Sequence, residues 1–202
     1  MQDRSQSIRV VPLQEEFLDD VVRIHLSGLG YTMNSRLGKE HLALLYRFMA
    51  RDSQCYAGVA LLNGQPVGVV SGTIDAGVLN SKLLKEMPTG KIVLLALRFL
   101  AAPWLLYELG KSMIIARPVF HQGKQVSAVL TTLSVDPEVR ARGIGTYLVA
   151  ALERSFAQGG IQSYRLDTVL KNRTAREFYR RLGFCEIGKR ADSMVYLKVI
   201  VQ

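Results

Sequence analysis

Leu133-Ser134-Val135-Asp136-Pro137-Glu138-Val139-Arg140-Ala141-Arg142-Gly143-Ile144-Gly145-Thr146-Tyr147-Leu148 is the stretch on which the reading of this chain turns. A β-branched, alternating run stops at Asp136-Pro137, a short basic loop follows, and a helical pattern opens at the two glycines. Such a turn gathers unpaired backbone N–H groups and the positive end of a helix at one spot, which suits an anion. Gly143 and Gly145 carry no Cβ and allow close approach; Arg140 and Arg142 add positive charge, Ile144 adds a backbone N–H, and Thr146 offers a hydroxyl in the first turn. A diphosphate fits that description. Position 148 is Leu, so the third glycine of a dinucleotide-binding fingerprint is missing, and no Gly-Lys-Ser/Thr ending marks a P-loop.

Outward from this loop the pattern alternates. Upstream, Val126 to Val135 reads as a strand; downstream, Gly145 to Ala157 reads as a helix with Leu148, Leu152 and Phe156 on one stripe, stopped at Gly159-Gly160. Tyr164 to Val169 is a strand, Asn172 to Leu182 a helix ending at Gly183, and Phe184–Ile187 and Met194–Val201 are the last strands. In the first half, Ser7 to Pro12 reads as a strand, Leu13 to Leu26 and Gly38 to Arg51 as helices, and residues 28–37 as a loop. Cys55–Leu62 and Gln65–Ile74 flank Asn63-Gly64, the pair that best adopts a type I′ hairpin turn. Residues 76–125 hold an apolar block, Ile92 to Tyr107, interrupted by Arg98 and Pro103, which reads as a helical insertion too broken for a spanning helix. The fold class is α/β, a single domain over 1–202.

The chain has 202 residues, with 49% hydrophobic and 21% charged residues, which excludes disordered, collagenous and coiled-coil classes. Two cysteines and three histidines at unrelated positions exclude a disulfide scaffold and provide no metal-ligand spacing, so no metal is expected. The N-terminal residues lack the apolar stretch of a secretory signal, and a cytoplasmic location is expected. Residues 1–75 carry seven Lys/Arg and eight Asp/Glu, residues 76–202 nineteen and nine, so the whole basic excess lies in the second part. Such an excess fits nucleic acid, a membrane surface or a phosphate-bearing ligand equally well.

Arg140-x-x-Gly143-x-Gly145 resembles the acyl-CoA pyrophosphate loop (R/Q-x-x-G-x-G/A) of the GNAT superfamily of N-acyltransferases, and Asn172-x-x-Ala175-x-x-Phe178-Tyr179-x-x-x-Gly183-Phe184 resembles the helix that follows it there. The resemblance covers 126–188 firmly, as an acyl-CoA-binding core, and 7–74 by element order. It implies a mixed, mostly antiparallel central sheet of about seven strands flanked by helices, with acetyl-CoA as cosubstrate. His25-Leu26-Ser27, Leu37-Gly38 and Leu44-Leu45-Tyr46 are similar to a bacterial subgroup found beside surface-polysaccharide genes.

By the resemblance, backbone groups of Leu133 and Val135 bind the pantetheine arm, and Arg140, Arg142, Gly143, Ile144, Gly145 and Thr146 hold the diphosphate. Tyr179 is the general acid for the leaving thiolate, with Phe178 filling the core stripe of the helix, and Asn172 is both a helix cap and a cofactor-binding residue. Arg173 and Arg176 read as solvated arginines within reach of a 3′-phosphate. The usual strand carboxylate is absent, as Ala128 to Ser134 shows, which leaves the base open among Asp75, His25, His121 and a water relay through Thr131, Thr132 or Ser134. Cys185 reads as a buried strand residue rather than a nucleophile, so transfer is direct, in a ternary complex.

The expected acceptor is a small-molecule primary amine, with a nucleotide-linked amino sugar first and a protein lysine or N-terminus second. A non-catalytic CoA-binding or docking module is the alternative of another class. No nucleic-acid partner and no stable membrane insertion are expected. The apolar segment 91–110 is expected to pack internally or to form a homodimer face.

Overall fold

The computed structural model describes residues 7–102 and 104–200, the side chains of residues 94 and 98 excepted. The chain divides into two compact units, one running to Gly72 and resuming over Thr131–Gln158, the other comprising Thr73–Leu130 and the residues from Gly159 onward. Strand order through the sheet is β1-β2-β3-β6-β7-β9-β8, seven strands, mostly antiparallel, flanked by helices.

In the first unit, β1 (Ile8–Pro12) pairs antiparallel with β2 (Cys55–Leu62), from Ile8↔Leu62 to Pro12↔Gly58. β3 (Gln65–Thr73) returns from β2 through Asn63 and Gly64, whose φ values of 51° and 85° are those the Asn-Gly pair predicts. Both strands are buried almost throughout, as in a sheet covered on both faces. After a single 3₁₀ turn (Glu15–Phe17), α1 (Leu18–Leu29) buries Leu18, Val21, Val22, Ile24 and His25, the stripe expected of an amphipathic helix. The stretch 28–37, expected as a loop, contains a short helix, α2 (Met33–Arg36), because Thr32 caps it by accepting from the Ser35 backbone N–H. α3 (Lys39–Arg51) buries Leu42, Leu45, Tyr46, Phe48 and Met49. After β6 (Val129–Val135), α7 (Ile144–Gln158) buries Leu148 and Leu152 completely, each stabilising by about 1.5–3 kcal/mol.

In the second unit, the segment that the sequence marks as a helical insertion forms α4 (Ala76–Glu86), α5 (Thr89–Ala101) and α6 (Trp104–Ala116), then a two-stranded hairpin of β4 (Val119–His121) and β5 (Lys124–Val126). The hairpin claims Val126, so β6 starts three residues later than the alternation predicts. β6 and β7 (Ser163–Val169) pair parallel, registered at Val129↔Arg165. β9 (Ser193–Val199) pairs with β7 along its whole length, and β8 (Cys185–Arg190) pairs with β9 through a bulge between Glu186 and Gly188. Because β8 is an edge strand, Cys185 is exposed, which corrects the buried position expected for it.

Candidate active site

In the first unit, the end of β6 is fixed before the loop begins. Ser134 Oγ donates to the Ile24 carbonyl at 2.9 Å, the Asp136 backbone N–H donates to the Val67 carbonyl at 2.8 Å, and Arg23 Nη1 donates to Asp136 at 2.8 Å. The Arg23 guanidinium holds the Asp136 carboxyl below its ordinary range. Asp136 also accepts from the Glu138 backbone N–H, capping a 3₁₀ turn over Pro137–Val139. Arg140 Nε donates to the Val135 carbonyl at 3.2 Å, so one of the two β6 residues expected to bind an arm has its carbonyl turned to the loop's own arginine.

The loop then adopts left-handed backbone at Ala141, φ 65°, and at Gly143, φ 76°. A Cβ built on Gly143 meets nothing within 4 Å, so the space above this residue is open. The Thr146 backbone N–H donates to the Gly143 carbonyl at 2.9 Å, closing the first turn of α7. The N–H groups of Ile144 and Gly145 lie in that first turn, where no carbonyl of the preceding turn can accept them. Arg140, Arg142, Gly143 and Thr146 are exposed, Gly145 is half-buried, and Ile144 is buried as the anchor. Gly68 on β3 explains how the helix sits so low. A Cβ there would lie 2.9 Å from Leu148 Cδ1 and 3.3 Å from both Ile144 Cγ2 and the Ser134 carbonyl oxygen. The sequence singles out no role for Gly68, since a close approach between helix and strand leaves no local pattern. The turn has the chemistry of a diphosphate site: backbone donors, a helix N-terminus, two exposed guanidinium groups and an uncovered glycine.

The β6 hydroxyls expected to carry a water relay are engaged within this unit. Thr131 Oγ1 lies 2.8 Å from Ser71 Oγ, Thr132 bonds the Tyr46 phenol, and Ser134 holds Ile24. His25 is buried, and its Nδ1 lies 2.7 Å from Tyr46 Oη. Tyr46 itself reads in the sequence as one more apolar position of α3, because nothing local marks its hydroxyl partners.

In the second unit, Asn172 caps α8 (Arg173–Arg181): its side chain accepts from the Ala175 backbone N–H at 3.1 Å. Tyr179 is the buried aromatic of that helix, 7% exposed, and Phe178 is only half-buried, the reverse of the expected assignment. Tyr179 wins the inner position because three rings receive it: Phe178 and Phe184 each lie 5.4 Å away centroid to centroid, and Tyr196 lies at 6.0 Å. Arg176 is not a solvated arginine, since it donates to Tyr196 Oη, to the Leu170 carbonyl and to Glu186. Arg173 is exposed. Asp75 accepts from the Gly77 and Val78 backbone N–H groups at 2.8 and 3.1 Å, which makes it the N-cap of α4, and His121 lies in the β4–β5 hairpin. Among the described residues, no group of three or more His, Cys, Asp or Glu side chains could hold a metal ion.

The fold has many solved counterparts. PaiA N-acetyltransferase from Thermoplasma acidophilum, in complex with coenzyme A, matches with a TM-score of 0.64 at 16% identity over 96% of this chain and 99% of that one. Ribosomal-protein-S18-alanine N-acetyltransferase from Escherichia coli matches with a TM-score of 0.59 at 13% identity, over 97% and 96%. At these identities the likeness is one of fold. In sequence, N-alpha-acetyltransferase 30 of Schizosaccharomyces pombe is 33% identical over 72 residues, 36% of this chain; the match spans 48%, about half, of that protein's length. The model of the acetyltransferase (GNAT) family matches residues 29–184, which take in both units, the 140–146 turn and α8. The chain therefore belongs to the GNAT family of acetyltransferases, whose cosubstrate is acetyl-CoA.

Proposed function

We propose that this chain transfers an acetyl group from acetyl-CoA to a primary amine by direct attack in a ternary complex. The observation that carries the proposal is the turn after β6, where left-handed backbone at Ala141 and Gly143 leads into α7 beneath open space. In this reading the N–H groups of Gly143, Ile144 and Gly145, the Thr146 hydroxyl and the Arg140 and Arg142 guanidinium groups hold the diphosphate. Leu133 and the Val135 N–H hold the pantetheine arm, one of these donors polarising the thioester carbonyl. The neutral amine attacks the carbonyl carbon, the carbon–sulfur bond breaks, and Tyr179 gives its phenolic proton to the departing sulfur while the nitrogen releases one proton to water or to a base. The open base position is best filled by solvent, since Asp75 is spent on a helix cap and His25 is sealed in a core.

Two acceptor classes follow from different observations. The N-terminal subgroup pattern supports a nucleotide-linked amino sugar. The 33% identity with N-alpha-acetyltransferase 30 supports a peptide α-amine. Calorimetry with acetyl-CoA, followed by free-thiol release with a panel containing amino sugars, nucleotide-linked amino sugars and short peptides with free N-termini, tests the whole reading. Heat with acetyl-CoA and thiol release with one class establishes it; absence of heat ends it.

A further inference from the structure

The surface of α5 and α6 is apolar on the outside. Val93, Leu97 and Leu100 project from α5, the last of them 79% exposed, and Trp104, Tyr107 and Ile114 project from α6. The spacing 93-97-100 is one helical stripe, and 107 and 114 are two turns apart on another, so these are continuous faces rather than scattered side chains. In the single chain these stripes are uncovered, so of the two outcomes expected for 91–110, internal packing and a homodimer face, internal packing does not account for them. On α6 Leu105 is buried, and Lys111, paired with Glu108 of its own helix at 3.1 Å, reaches Asp192 in the β8–β9 turn at 3.0 Å. On the hairpin that follows in the chain, Phe120 of β4 is also exposed, at 72%.

Charge identifies what covers this face. Residues 76–126 carry seven Lys/Arg against two Glu. Lys85, Arg117 and Lys124 are exposed, in α4, after α6 and on β5. A two-fold interface would set this basic segment against its own copy and concentrate like charge around the apolar contact. An anionic bilayer does the opposite, taking the aliphatic side chains below the headgroups, Trp104 and Tyr107 at headgroup level and the lysines against lipid phosphates. α5 and α6 have 13 residues each, about 20 Å of helix, and no single described helix is long and apolar enough to cross a bilayer. We propose that the α5–α6 face is a peripheral docking surface for anionic lipid membranes, on which the two helices lie in the interface plane. This inference is independent of the catalytic reading.

The chain carries its own probe, because Trp104 is the only tryptophan. The full-length protein is mixed with phosphatidylcholine vesicles with and without one quarter phosphatidylglycerol, and both sedimentation and tryptophan emission are read. Docking predicts partition into the anionic vesicles with emission moving to shorter wavelength, and little of either with phosphatidylcholine alone. Leu100→Asp, at a position too exposed to support folding, lowers partition at least tenfold with an unchanged melting temperature; Tyr107→Asp does the same should that variant fail to fold. Lys85→Gln and Lys124→Gln each lower it about fivefold. No partition, equal partition into both vesicle types, or full partition by a folded Leu100→Asp variant each overturns the proposal. A concentration-dependent dimer that Leu100→Asp abolishes, in a protein that ignores vesicles, assigns the face to a second copy instead.

Discussion

His25 Nδ1 lies 2.7 Å from Tyr46 Oη in the core of the first unit, and no described atom partners His25 Nε2. Thr132 bonds the same phenol from β6. The chain Thr132 to Tyr46 to His25 therefore spans a strand and two helices, and it works with a neutral imidazole. Burial alone holds the His25 pKa at about 4 and pushes the Tyr46 phenol up.

That depression sets a pH dependence. Unfolded chains bind a proton at this histidine near pH 6.5, whereas the folded one does not until about 4, so protonation favours unfolding between these values. Stability is full above about pH 6.5 and falls as the pH drops towards 4, by about 3 kcal/mol in total. Urea unfolding of the wild type and His25→Gln at pH 7 and pH 4.5 checks this: the variant loses markedly less stability on acidification. Equal losses would show that other groups carry the acid sensitivity.

Gly143 separates folding from ligand binding. At φ 76° an L side chain is strained, and the space its Cβ would enter is open. Gly143→Ala is expected to cost about 1 kcal/mol in stability while weakening acetyl-CoA binding by at least about tenfold, because in the proposed site the methyl group would stand where the backbone meets the diphosphate. Gly64→Ala, at φ 85° in the β2–β3 turn, is the control: a similar stability loss, with calorimetric affinity for acetyl-CoA unchanged.

Elements governed by local pattern were legible in the sequence: the Asn63-Gly64 turn, the stripe of α7 and the glycine-bounded loop before it. What stayed hidden was decided by partners distant in the chain. Phe178 and Tyr179 are adjacent on α8, and only Phe184 and Tyr196 determine that Tyr179 turns inward. Cys185 reads as apolar strand, but β8 is a sheet edge, a property of strand order rather than of residues. In α5 and α6 apolar residues surround the helix, so periodicity cannot say which face is covered. Arg176 resembles a surface arginine until β8 and β9 bring Glu186 and Tyr196 to it.

Arg165 and Asp167 form a buried ion pair at 2.6 Å, with side chains 0% and 4% exposed. Arg165 Nη2 also donates to the Ile115 and Arg117 carbonyls, and Arg190 donates to those of Ile114, Arg117 and Pro118, so two cations close the C-terminal end of α6. Arg165→Ala leaves the buried Asp167 carboxylate without its cation and removes one of the two guanidinium groups on the Ile115 and Arg117 carbonyls, and it is expected to destabilise by about 3–5 kcal/mol. The double variant Arg165→Met with Asp167→Leu recovers most of that loss in urea unfolding, since an apolar pair of similar volume avoids desolvating either charge. If the double variant is as unstable as the single one, the arginine's bonds to α6, rather than its pairing with Asp167, dominate.

Tyr179 separates the structural from the chemical content of α8. Its ring packs among Phe178, Phe184 and Tyr196, and Phe preserves every one of those contacts, so Tyr179→Phe should fold with a melting temperature close to that of the wild type. It should also bind acetyl-CoA with unchanged heat, because in the proposed mechanism the phenol acts on the sulfur only after the acyl bond begins to break. A general acid lost at that step lowers turnover by about 10²–10⁴. The loss should fall in kcat rather than KM, since the interaction arises on the way to the transition state. A chemically activated thioester separates the two roles further: with a leaving thiol of much lower pKa, which departs without a proton, the variant should approach the wild-type rate. Unchanged turnover with ordinary acetyl-CoA would reduce Tyr179 to one more ring in the core and move the acid to another residue or to water.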